Sequence, residues 1–140
     1  MFDEEGIIDH IIELEEALKD WERYKKISLE DLSTDRDKKN MVLHALLIAI
    51  QSTIDIANHI IAEQKFARPT TYRESFEILA NEKILSPDLS NQLADLAGFR
   101  NVLVHIYLKI NLEIVHGILQ NDLPPVKSFL KIVKSLIKIQ

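Results

Sequence analysis

The run Met41-Val-Leu-His44-Ala-Leu-Leu-Ile-Ala-Ile50-Gln51-Ser-Thr-Ile-Asp55-Ile-Ala-Asn58-His59-Ile-Ile61 decides the fold. It is the longest apolar stretch of the chain and is long enough to cross a bilayer. His44, Gln51, Asp55, Asn58 and His59 interrupt it, and such groups are costly in hydrocarbon. It therefore reads as a buried bundle helix. Ser33-Thr34-Asp35 supply N-cap candidates upstream, which sets the helix at roughly Arg36 to Glu63. Apolar residues nearly all round it place it centrally.

The flanking segments carry the same helical period. Ile7, Ile11, Leu14, Leu18 and Trp21 alternate steps of four and three, which predicts an amphipathic helix from about Glu4 to Lys26. Its outer face is acidic, with Asp9, Glu13, Glu16 and Asp20. Ser28 with Asp31 resembles a capping box for a short turn, and Thr71 with Glu74 makes a second one. The latter opens a helix bearing Tyr72, Phe76 and Leu79. Ser86-Pro87-Asp88 combines a hydroxyl cap, a proline at the first position and an acid in the first turn. The helix it starts runs through Leu89, Leu93, Leu96 and Ala97 to Arg100. Asn111 is a cap for a helix with Ile114, Val115, Ile118 and Leu119. Asp122 to Pro125 restarts the chain into a last helix with Val126, Phe129, Leu130, Val133 and Ile137. No segment alternates with period two. The expectation is an all-α, up-down bundle of about five helices, folded as one domain over residues 1–140.

Composition agrees. The 140 residues are 46% hydrophobic, with only three glycines and four prolines to interrupt helices. There is no cysteine, hence no disulfide framework and no thiolate zinc site. The N-terminus is acidic where a signal peptide would be basic. These features predict a cytoplasmic protein without a membrane span. A net charge of -5 argues against a general nucleic-acid coat protein and leaves room for a local basic site.

The chemistry concentrates in Arg100-Asn-Val-Leu-Val-His105-Ile-Tyr107. A guanidinium fork suits a phosphate, and an imidazole moves protons near neutral pH. At about 100° per residue, Asn101 and His105 share a face, whereas Arg100 and His105 stand roughly 140° apart. One rigid helix points them apart. Loosening near His105, or two copies meeting across a dimer axis, would bring them together. The bland alternative is an Arg and a His buried and satisfied by carboxylates.

Arg100, four residues, His105, one residue and Tyr107 together resemble the signature of HepT-like toxins, a branch of the HEPN domain family. Asp55-Ile-Ala-Asn58-His59-Ile-Ile, Arg68-Pro69, Tyr72-Arg-Glu-Ser-Phe76, Ile84-Leu85 and Gly98-Phe99 follow the family's order, so the likeness spans roughly residues 5 to 138. The resemblance implies a HEPN-like helical fold and a homodimer that pairs two motifs in one cleft. It implies a metal-independent endoribonuclease acting as the toxin of a type VII toxin–antitoxin pair, on RNA, with tRNA among the candidate targets. Arg100, Asn101 and His105 match its active-site positions. Its partner would be an MntA-like nucleotidyltransferase antitoxin that transfers AMP from ATP to Tyr107; the chain itself would need no cofactor and no metal.

Other residues are weighed against this. Asp55, Asn58 and His59 are candidates to line the cleft. Asp55 and His59, four apart on one face, make either a metal pair or a structural hydrogen bond. Lys127, Lys131, Lys134 and Lys138 form a stripe that reads as a solvated face before an RNA track. Tyr72, Trp21 and Tyr24 read as core or interface residues before base-stacking platforms. The competing function is a non-catalytic helical partner that regulates a nucleotidyltransferase.

Overall fold

A computed structural model of the chain describes residues 4–105 and 109–137. Seven helices occur among them: α1 Glu4–Tyr24, α2 Leu29–Thr34, α3 Arg36–Glu63, α4 Tyr72–Asn81, α5 Pro87–His105, α6 Leu112–Asn121 and α7 Leu123–Ile137. No strand is present among the described residues. The all-α class expected from periodicity holds. The helix number is higher than five because the Ser28 turn is a helix in its own right and the Asn111 and Asp122 signals each open a separate helix.

The caps explain the boundaries. Ser28 Oγ accepts the Asp31 N–H, Asp35 Oδ1 accepts the Lys38 N–H, and Thr71 Oγ1 accepts the Glu74 N–H. Asn111 Oδ1 takes the N–H groups of Glu113 and Ile114, and Ser86 Oγ takes that of Leu89. Each satisfies an amide that has no partner in the first helical turn. Glu74 does not complete its capping box; its carboxylate accepts from Thr70 Oγ1 instead. At the other ends, α3 and α4 stop on a lysine in the left-handed region, Lys65 at φ 57° and Lys83 at φ 63°. Phe66 and Ile84 then bond back to Ile61 and Leu79 carbonyls, the closing pattern that glycine usually serves. Phe66 packs on the core beyond this turn, which anchors the connection into α4.

α3 lies at the centre and packs against all six other helices. Val42, Leu46, Ile50, Ile54, Ile56, Ala57 and Ile60 on it are fully or almost fully buried, each worth about 1.5–3 kcal/mol for the larger side chains. By length and hydropathy α3 would pass for a membrane span; its apolar surface is instead covered by protein. α1 runs along α3, and α4 and α5 form a second closely packed pair. Phe76 and Phe129 meet edge to face, with ring centroids 6.0 Å apart, joining α4 to α7.

Two acids of α1 outside its acidic outer face meet the lysine stripe of α7: Lys134 pairs with Glu15 and Lys127 with Glu22. The stripe is thus partly used to dock α7, while Lys131 is exposed and Lys138 lies outside the described residues. At the α6–α7 corner, burial first and the Asp95 carboxylate second push the Asp122 carboxyl up from its ordinary value.

Trp21 is a core residue, as its spacing predicts. It is fully buried, and its Nε1 donates to the Leu119 carbonyl at 2.9 Å. That carbonyl is in the last turn of α6, where helical acceptors lack partners. Trp21→Phe should lower stability by about 1–3 kcal/mol through the orphaned carbonyl, with lost packing added. Urea unfolding would measure it; an unchanged midpoint would show that the bond contributes nothing.

Candidate functional site

The site forms where α5 crosses α3 and the start of α4. Arg100 is half-buried and its guanidinium is held on three sides. Nε donates to Gln51 Oε1 at 2.8 Å, Nη1 donates to Asn101 Oδ1 at 3.3 Å, and the group lies 5.5 Å from the centroid of the Tyr72 ring. The stacking adds a cation–π attraction. Gln51 is held in turn: its Nε2 donates to Asp55 Oδ1 at 2.9 Å. The other Asp55 oxygen is 3.8 Å from His10 Nδ1. A polar line therefore runs from α1 through α3 to the arginine on α5. It fixes the fork without a direct carboxylate contact, so the cation is positioned and not neutralised.

Beside Arg100 lies a cavity of about 450 Å³. Asn58 and Asn101 line it from α3 and α5, Tyr72 and Ser75 from α4, and Thr70 and Thr71 from the connection before α4. None of these side chains is charged. Asn58 Oδ1 accepts from Ser75 Oγ at 2.6 Å, which orients the amide.

The sequence candidates fall into place unevenly. Arg100 and Asn101 are in contact. α5 remains helical through His105, so the divergence expected from their spacing is found: Arg100 is lodged toward α3 and α4, and His105 is exposed. The buried, carboxylate-satisfied pair of the bland reading is not what is seen. Asn58 lines the cavity, and Asp55 reaches the arginine through Gln51. Asp55 is engaged with Gln51 and His10. The Nε2 of His59 is enclosed, with no hydrogen-bond partner among the described residues. No group of three His, Cys, Asp or Glu side chains suited to a metal ion occurs among the described residues. Tyr107 lies outside the described residues.

Three residues of the site escape sequence reasoning. Gln51 and His10 carry no signal by themselves; each is one polar residue on an amphipathic or apolar helix. Tyr72 packs against the core as expected; what its spacing does not show is that its half-exposed ring also supports Arg100 and lines the cavity.

Fold and site define a class: an all-helical domain with a positioned arginine and an exposed histidine on one helix, next to an uncharged cavity. A family model described as Ribonuclease HepT-like matches residues 14–133, and the chain belongs to that family. It is 36% identical over 85 residues to the mRNA nuclease HepT of Shewanella oneidensis, a match covering 61% of this chain and 64% of the relative. It is 34% identical over 85 residues to the tRNA nuclease HepT of Aphanizomenon flos-aquae, covering 61% and 58%. These matches thus span less than two thirds of either relative. The fold is similar to a solved structure of the tri-AMPylated Shewanella oneidensis HEPN toxin in complex with MNT antitoxin. The TM-score is 0.83 at 30% identity, over 96% of this chain and 99% of that one.

Proposed function

We propose that this chain is the toxin of a toxin–antitoxin pair: a metal-independent endoribonuclease with a composite active site formed by two copies. A nucleotidyltransferase would silence it by moving AMP from ATP onto Tyr107. The observation that carries the reading is Arg100, a guanidinium held in place by neutral groups and so available to a phosphate. The HepT and HEPN relatives support it, two named as nucleases and one AMPylated in complex with its antitoxin.

The chemistry needs a base, an acid and charge stabilisation. In the reaction the ribose 2′-oxygen attacks phosphorus, the bond to the 5′-oxygen breaks, and a 2′,3′-cyclic phosphate and a 5′-hydroxyl result. His105 of one copy takes the 2′-hydroxyl proton and His105 of the second returns one to the 5′-oxygen. Arg100 stabilises the charge gathering on the phosphoryl oxygens. A dimer supplies what one helix cannot, because Arg100 and His105 point apart on α5. Val104, beside His105, is 40% exposed, an apolar side chain suited to cover by a second copy.

The direct test is incubation of the purified chain with RNA in EDTA, with the oligomeric state followed by light scattering. Cleavage by a dimer is expected. A monomer at micromolar concentration that nevertheless cuts RNA would remove the composite site; no cleavage at all would favour a non-catalytic partner of a nucleotidyltransferase.

Gln51 separates positioning from folding. Gln51→Leu removes the acceptor that aims Arg100 and should slow cleavage by about 10- to 100-fold while thermal stability stays near that of the parent. Gln51→Glu keeps an oxygen for Arg100 Nε but pairs the cation with a carboxylate, so it should cleave slowly as well. A parent rate in Gln51→Leu would show that Gln51 does not act through the arginine.

A further inference from the structure

We infer that Lys65 and Arg68 form a backbone subsite for the RNA. They hold phosphates of the strand beside the one that Arg100 engages, and they read no base. This rests on the ribonuclease reading and adds a substrate-binding site to it.

The cavity of about 450 Å³ beside Arg100 continues past Asn58 and Pro69 into a depression of about 370 Å³, which the same two residues line. Lys65 and Arg68 stand on that depression, over the buried Ile61 and the core-packed Phe66. The two spaces make one trough. Arg100, stacked on Tyr72, is at one end, and the pair of cations is at the other.

Both cations are exposed, and neither enters an ion pair among the described residues. The acids nearest to them in sequence are Glu63 and Glu74, and the Glu74 carboxylate takes the Thr70 hydroxyl instead. The ammonium and the guanidinium therefore keep their donors for an anion, and phosphate oxygens suit both. The first turn of α4 adds to this. Thr71, Tyr72 and Ser75 line the cavity, so the positive end of a ten-residue helix opens on the same trough. The neutral lining mixes hydrogen-bond donors and acceptors and selects no base; what the trough offers a strand is charge.

The lysine stripe of α7 is the rival track. Lys127 and Lys134 are engaged there with Glu22 and Glu15, whereas Lys65 and Arg68 are not. A chain of net charge -5 thus keeps unpaired cations beside its arginine site.

The test is the salt dependence of binding, read by fluorescence anisotropy with 2′-O-methyl oligouridine and oligoadenosine, which cannot be cleaved. Each lost phosphate contact lowers the slope of log affinity against log salt by about 0.7 on a single strand. Lys65→Gly combined with Arg68→Gln should lower it by about 1.4 on both oligonucleotides, and in cleavage assays the loss should appear in KM. Glycine suits this position because Lys65 sits at φ 57°, which glycine adopts without steric cost, so the turn is kept. Lys131→Gln, at an exposed cation of the α7 stripe, should leave the slope unchanged.

An unchanged slope in the double variant overturns the subsite. So does a fall of the same size in Lys131→Gln, or a fall confined to one of the two oligonucleotides. If the slope falls although no RNA is cut, the nuclease reading fails and the subsite stands; RNA cut with an unchanged slope means the reverse. Should the double variant not fold, acetylation of the unaltered chain's lysines by sulfo-NHS acetate decides. Protection of Lys65 at saturating oligonucleotide supports the subsite, and Lys65 reacting as fast with RNA as without it overturns it.

Discussion

His105→Ala and Arg100→Ala are each expected to cut RNA at least 100-fold more slowly than the parent chain, and to relieve growth arrest when expressed. Removal of a general acid or base typically costs about 10²–10⁴-fold, and a missing charge stabiliser costs a similar amount. The two variants should differ in stability. His105 is exposed in the last turn of α5, so its truncation disturbs no packing and the melting temperature should stay within a degree or two. Arg100 is half-buried on Gln51 and Tyr72. Its truncation leaves the Gln51 oxygen without its partner, and a modest loss of stability should accompany the loss of rate. Arg100→Lys keeps the charge but loses the planar fork and the stacking, so it should recover little activity. The measurement is RNA cleavage in EDTA beside thermal melts of the same preparations. His105→Ala cutting at the parent rate would remove the imidazole from the mechanism. Both variants unfolding would reduce the motif to a structural role.

The stop and start signals of this chain are short-range chemistry, and that is why the fold was legible. Asp35, Thr71, Ser86 and Asn111 each cap the helix their position predicts. The central place of α3 follows from an apolar surface that no single face could bury. The excess of helices over five has the same origin in reverse. α2 is six residues long, too short for periodicity to distinguish from a capped turn, whereas the separate starts of α6 and α7 follow from Asn111 and from the restart at Asp122 to Pro125.

The site was legible only in part, for a geometric reason. Arg100 and Asn101 stand in one motif; the chemistry of Arg100 suits a phosphate, and the place of Asn101 in the site comes from the family resemblance. Gln51 is 49 positions from Arg100, and nothing local to it distinguishes a ligand of arginine from a polar interruption in an apolar helix. Tyr72 follows its N-cap directly on a helix with a strong apolar face, where an aromatic ring more often packs inward. It does pack against the core, and its half-exposed part also meets Arg100 and the cavity. Asn58 was flagged through likeness to a family; its hydrogen bond to Ser75, which sets the amide's direction, needed coordinates.

Tyr107→Phe is expected to remain toxic when the nucleotidyltransferase is co-expressed, whereas the parent chain is silenced. Tyr107 follows the exposed His105 by two residues in the sequence. A phenol with an ordinary pKa near 10 is a poor base at neutral pH, so the chemical step does not need it and Tyr107→Phe should keep most of the cleavage rate. In the proposed switch its hydroxyl is the acceptor for AMP. The transfer forms a bond from the phenolic oxygen to the α-phosphorus of ATP and releases pyrophosphate, leaving a negative charge and an adenosine beside the motif. Like a phosphate added near an anion site, that charge repels the RNA backbone and takes Arg100 for itself. The difference between the two chains should therefore be close to all-or-none in growth, and mass spectrometry should find the AMP increment on the parent only. A Tyr107→Phe chain that the partner still silences completely would mean that inhibition rests on binding or on another residue.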